Sequence, residues 1–68
     1  MDRATKEGAV SYRHSLRRGT RVQSLRVEGP SGLGTIAELR KGDERYGVKW
    51  DARKVIFTAH LHQDFEPV

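Results

Sequence analysis

The side chains of this sequence with the clearest chemistry are cations. Arg13, Arg17, Arg18, Arg21, Arg40, Lys41, Arg45, Lys49, Arg53 and Lys54 recur along the chain, and an exposed Lys or Arg is the group that neutralises a phosphate. Thirteen Lys and Arg against nine Asp and Glu leave a formal charge of +4 and a pI near 10.0. That balance attracts polyanions: nucleic acid first, then anionic membrane or acidic protein. A paired acid and base, or an activated nucleophile, would signal catalysis, but Ser, His and Asp are scattered with nothing to bring them together. The reading is a binding protein, not an enzyme, that needs no cofactor.

Other constellations have a structural reading that outweighs the chemical one. His60-x-His62, with Asp64 at the same parity, has a spacing that can grip a metal on an extended segment; histidines at the end of a strand explain it as well, and no metal is expected. Tyr46, Trp50, Phe57 and Phe65 could form an aromatic cage or a base-stacking platform. A chain this short needs its aromatics for a core, so they are assigned there. Tyr46, at the start of a strand, is expected to stay partly exposed and to offer, with Leu33, a surface to a partner. Gly29-Pro30-Ser31-Gly32-Leu33-Gly34 is glycine-rich, but no Gly-Lys-Ser/Thr follows it and a strand comes next, so it is a turn, not a phosphate loop.

Which elements would position these residues? Residues 1–18 show no sustained period of 3.6 or 2 and hold Arg3, Lys6, Arg13, Arg17 and Arg18 against Asp2 and Glu7, so they read as a flexible basic arm. From Gly19 to Val68 short β-type runs alternate with turn residues. The strands are expected over 21–27 with a bend near Ser24, 33–40, 45–50, 54–60 and 65–68, the last limited to an edge by Pro67. In the third, Tyr46, Val48 and Trp50 share one face and Arg45, Gly47 and Lys49 the other, which lets Arg45 and Lys49 cooperate with Lys54 across the next hairpin. The expected core is Val22, Leu25, Val27, Leu33, Ile36, Leu39, Val48, Trp50, Val55, Phe57, Leu61 and Phe65.

So few short strands cannot make two packed sheets, and must bend and close into a five-stranded all-β barrel of the SH3-like kind. With 68 residues and no cysteine the core is modest and has no disulfide support, which argues for self-association or a larger protein partner. No apolar run approaches the roughly 20 residues that span a bilayer, and the first ten residues lack the apolar core of a signal peptide. A cytoplasmic protein with no membrane partner is expected.

Gly19-Thr20-Arg21-Val22, Gly32-Leu33-Gly34-Thr35-Ile36 and Val48-Lys49-Trp50-Asp51 together resemble the tudor-like and KOW-like SH3 barrels attached to bacterial helicases and transcription factors. The resemblance covers about residues 19–68, without the KOW glycine spacing itself. It implies a small barrel that binds DNA, RNA or protein through its loops. Charge and resemblance together favour a nucleic-acid-binding accessory module, for DNA more than RNA, with low sequence specificity and phosphate contacts from the ten cations named first. The alternative is an adaptor that docks onto a nucleic-acid-processing or phage-type assembly through a strand edge or the Gly29–Gly34 loop.

Overall fold

The computed structural model describes residues 12–29 and 31–68. Five strands make one antiparallel sheet: β1 Arg21–Ser24, β2 Leu33–Leu39, β3 Arg45–Trp50, β4 Ile56–His60 and β5 Phe65–Pro67, in the order β4-β3-β2-β1-β5. β3 shows most simply why these residues form these strands. Its period of two puts Tyr46, Val48 and Trp50 inward and Arg45 and Lys49 outward, and Val48 aligns with Ile36 on β2 and Phe57 on β4. The core is Val22, Ile36, Tyr46, Val48, Trp50, Ala59, Leu61 and Phe65, with Leu16 and Phe57 packed against it. Among the described residues no helix is long and apolar enough to cross a membrane.

Several expected core residues lie outside. β1 stops at Ser24 and does not run to Val27: the Leu25 N–H turns to the Asp64 carbonyl at 2.9 Å, and Leu25 and Val27 are exposed. Val55 precedes β4, which begins at Ile56, and is exposed for the same reason. Leu33 has the outward parity of β2, because Gly34 takes the inward place beside Ile36. Leu39 is at the strand's end, past a register shift between Ile36 and Glu38, and is half exposed. The irregularity expected near Ser24 is therefore a strand end, and the bulge is at Ala37. Tyr46 corrects the reading in the other direction: it is completely buried and offers no surface to a partner.

Gly34 and Trp50 are opposite one another across β2 and β3. A Cβ at Gly34 would stand 2.7 Å from Trp50 Cε3 and 3.0 Å from the Lys49 carbonyl, so the indole ring occupies the space a side chain would need. The glycine that reads as turn material in the sequence is a packing requirement.

Of the arm expected over 1–18, residues 1–11 lie outside the described residues. From Arg13 the chain is tied to the β2–β3 turn. Arg13 N–H donates to Asp43 Oδ1 at 2.9 Å, and its carbonyl accepts from Glu44 N–H at 2.8 Å. Further on, the Gly19 N–H reaches the Ile36 carbonyl at 2.7 Å and Thr20 accepts from the Ile36 N–H, extending the β1–β2 ladder.

Gly34→Ala is expected to lower stability by about 1–3 kcal/mol, because Trp50 has to move off the strand. Val27→Ser, at a side chain 97% exposed, should change it by less than about 0.5 kcal/mol. Urea unfolding followed by the fluorescence of Trp50, the single tryptophan, measures both. Equal midpoints for the two variants would refute the contact.

Candidate functional site

The β2–β3 turn gathers cations that the sequence leaves spread out. Arg40 N–H donates to the Arg45 carbonyl at 2.9 Å and closes the turn, which puts Arg40, Lys41 and Arg45 within one hairpin. Two glycines then decide where the arginine side chains go. A Cβ on Gly47 would be 2.8 Å from Arg40 Nε and 3.0 Å from its Nη2, so the Arg40 guanidinium lies over Gly47 on the outer face of β3. A Cβ on Gly42 would be 2.6 Å from Arg45 Cδ, so the stem of Arg45 folds across the turn. Arg40, Lys41 and Arg45 end up lining one shallow depression of about 380 Å³ with Thr58 of β4.

Charge in the depression is largely unspent. Arg40 Nη2 approaches Glu38 Oε1 at 3.1 Å, a pair exposed enough to contribute little. Its Nε is buried with no hydrogen-bond partner among the described residues, a cost of about 1–3 kcal/mol by the usual desolvation of such a donor. Neither Lys41 nor Arg45 forms an ion pair among the described residues. Three cations and a hydroxyl around a shallow dip can hold an oxyanion.

The remaining candidates are dispersed. Lys49 shares the outer face of β3 but stands opposite Ile56, and its Nζ donates to the Trp50 carbonyl at 2.9 Å. Four residues of strand separate it from Arg45, about 13 Å. Lys54 is in the β3–β4 turn, outside the strand, so the expected trio of Arg45, Lys49 and Lys54 across the hairpin does not form; the residue opposite Arg45 is His60. Arg21 makes a bidentate pair with Asp51 at 3.0 and 2.8 Å and also donates to Thr35 Oγ1. Arg53 is 5.9 Å above the Phe57 ring. Arg13, Arg17 and Arg18 are exposed before β1.

His60, His62 and Asp64 do not extend along one line as their spacing suggests. His62 takes a positive φ of 70° in the turn after β4, and Asp64 is committed to Arg26 at 2.7 Å and to the His60 N–H at 2.8 Å. No group of three His, Cys, Asp or Glu able to hold a metal ion occurs among the described residues.

What holds the turn in place is Glu44, a residue the sequence does not advertise. It adopts φ 57°, a left-handed conformation unfavourable for a side chain with a Cβ. Its carboxylate accepts from Ser15 N–H at 3.1 Å, from Ser15 Oγ at 2.8 Å and from the Tyr46 hydroxyl in a short hydrogen bond. Its carbonyl accepts from Leu61 N–H at 3.0 Å. The Tyr46 oxygen in turn accepts from Leu16 N–H at 3.0 Å. Beside it His14 Nε2 lies 2.9 Å and 3.0 Å from the Arg40 and Arg45 carbonyls; two acceptors place the proton on Nε2. The imidazole meets the Tyr46 ring edge-on at 5.2 Å.

These contacts displace both titrations. The Tyr46 hydroxyl, helped by Ser15 and opposed by desolvation, holds the Glu44 carboxyl below its ordinary value. Burial, with the bond to Glu44, pushes the Tyr46 phenol above its own. A carboxylate lowered by folding contributes stability above its unfolded value of 4.5, which is lost as the pH falls through the folded value. A phenol raised by folding contributes below its unfolded value of 10.0, and that contribution is lost as the pH climbs through the folded value.

Tyr46→Phe is expected to cost about 1.5–3 kcal/mol, since it removes a donor to a carboxylate and leaves the Leu16 N–H unpaired. Glu44→Gln should be less stable than the parent at neutral pH, and its stability should change less between about pH 5 and 3, where the parent loses the carboxylate's share. Denaturation midpoints across that range test both; parallel curves for parent and Glu44→Gln would remove Glu44 from this role.

No protein-family model, curated protein or solved structure matches the chain.

Proposed function

We propose that this chain is a non-catalytic nucleic-acid-binding module of the SH3-like barrel kind, working in the cytoplasm and contacting duplex DNA phosphates with low sequence specificity. The observation that carries the reading is the depression lined by Arg40, Lys41, Arg45 and Thr58. One phosphate in it would be held by charge and by directed donors. Lys49, about 13 Å along β3, would meet a second phosphate, a separation close to the major-groove width of about 12 Å. Arg17 and Arg18, at the entry to β1, would supply further contacts. None of these groups reads base edges by its position, so affinity without sequence preference follows.

The barrel reading is supported by the strand order, in which β5 returns to pair with β1 at the far side of the sheet from β4. Asp64 supports it further, reaching from the β4–β5 turn both to the His60 N–H and, by its carbonyl, to Leu25. Tudor-like or KOW-like kinship is part of the same proposal.

Titration of labelled duplex DNA tests the function. With three to four phosphates neutralised, affinity should fall about 40- to 150-fold between about 50 and 200 mM salt. Replacing Lys41 and Arg45 together by Ala should lower the salt slope by about one, equally for unrelated sequences, and leave the packed Arg40 in place. Salt-indifferent binding, or an unchanged slope in the double variant, would overturn the reading.

A further inference from the structure

The two edges of the sheet are built differently. β5 has three residues, Phe65-Glu66-Pro67, and shortness, a charge and a proline are devices that keep a free edge from pairing. β4 has none of them: Ile56-Phe57-Thr58-Ala59 carries no charge and no proline, and its register with β3 is unbroken.

The direction of the free backbone groups on β4 is fixed by His60. Its N–H donates to Asp64 Oδ2, and its carbonyl accepts from the Gln63 and Asp64 N–H groups, so both point away from β3. The two-residue period of a strand turns the N–H and carbonyl of Thr58 and Ile56 the same way. Among the described residues no hydrogen bond from another element reaches them.

Beside this edge lies a cleft of about 370 Å³ lined by Trp50, Phe57 and Ala59 and bounded across from β4 by Ser24, Arg26, Glu28 and Gly29. Asp64 closes one end. Burial pushes its carboxyl up, but Arg26 and the His60 N–H outweigh that and hold it below the ordinary range, so it stays a charged pin between β4 and the end of β1. The opening is a wedge with unpaired backbone along one wall and aromatic rings on its floor.

We propose that the β4 edge accepts an extended acidic peptide from a partner protein as a sixth strand, through backbone groups and a cleft that the phosphate contacts on the outer face do not use. Backbone pairing would use Ile56 and Thr58. Peptide side chains opposite Phe57 and Ala59 would turn inward onto the apolar floor, and those opposite Ile56 and Thr58 outward. Charge chooses the occupant: Lys41 and Arg45 border the strand's outer face, Arg53 and Lys54 precede it, and none of the four is in an ion pair among the described residues. Two acids line the wedge: Asp64, already matched by Arg26, and Glu28, against which these four cations still leave an excess of positive charge. A second copy of this chain would bring the same cations together.

The test uses the full chain and a short labelled peptide of alternating valine and glutamate, with two controls: a valine–lysine counterpart, and a version N-methylated along the edge that would face β4. Before peptide is added, amide exchange should be fast at Ile56 and Thr58 and slow at Phe57 and Ala59. Saturating peptide should slow Ile56 and Thr58 by about tenfold or more, and both controls should bind about tenfold more weakly or worse. Thr58→Pro removes an N–H the sheet does not use and should abolish binding with the fold retained. Should that variant not fold, Arg53→Glu with Lys54→Glu must shift preference toward the valine–lysine peptide. Binding that leaves Ile56 and Thr58 unprotected overturns the proposal. Protection that rises with protein concentration alone would assign the edge to a second copy, and protection of Ile56 together with Thr58 by duplex DNA would assign it to nucleic acid; either outcome also overturns it.

Discussion

One carboxylate, that of Glu44, settles the arrangement of everything around the β2–β3 turn. Its oxygens take donors from Ser15 and Tyr46, and its backbone meets Arg13 and Leu61. The segment before β1, the hairpin, the core tyrosine and the turn before β5 are therefore fixed to one residue. A left-handed backbone at a non-glycine position costs of order 1–3 kcal/mol, and hydrogen bonds to a charged acceptor contribute on the same scale each. Several bonds against one unfavourable conformation explain why Glu44 can occupy a place where glycine would be the easy choice. The cationic depression depends on this, together with the ties that Asp43 and His14 add to the turn that carries Arg40, Lys41 and Arg45.

The strands were legible because their signal is local. Tyr46, Val48 and Trp50 alternate with Arg45 and Lys49 in the sequence, and that pattern alone places β3 to the residue. Where reading failed, the deciding contact was distant. Nothing around Leu25 says that its N–H belongs to Asp64, far along the chain, so a strand continuing to Val27 was the natural expectation. Leu33 looked like core because the residue that displaces it from the interior is a glycine, and only the position of Trp50 reveals that Gly34 is a filled site. Tyr46 looked partly exposed because it stands at the start of a strand, but its hydroxyl has protein partners on both sides.

For the site, the sequence supplied the kinds of group but not their grouping. Ten cations at similar spacing carry no indication that Arg21 will be held by Asp51, that Arg53 will stand over Phe57, or that Lys54 will fall outside β4. Folding sorts them by which carboxylate or ring lies within reach across the sheet. A charge count therefore points to a class of partner and not to a surface. The same holds for the edges: Pro67 announces a guarded edge, whereas the bareness of β4 becomes visible only once its outer neighbour is known to be absent among the described elements.

Gly47 carries no charge and makes no polar side-chain contact, yet it sets the electrostatic relief of the outer face. With nothing but hydrogen on its α-carbon, the Arg40 guanidinium can be laid down along β3 instead of standing in solvent. Any larger residue there would lift a cation off the protein without altering the net charge or the isoelectric point. Two chains identical in every titratable group could thus present different landscapes to a polyanion, one smooth with its charge recessed in a dip, the other with that charge on a mobile stalk.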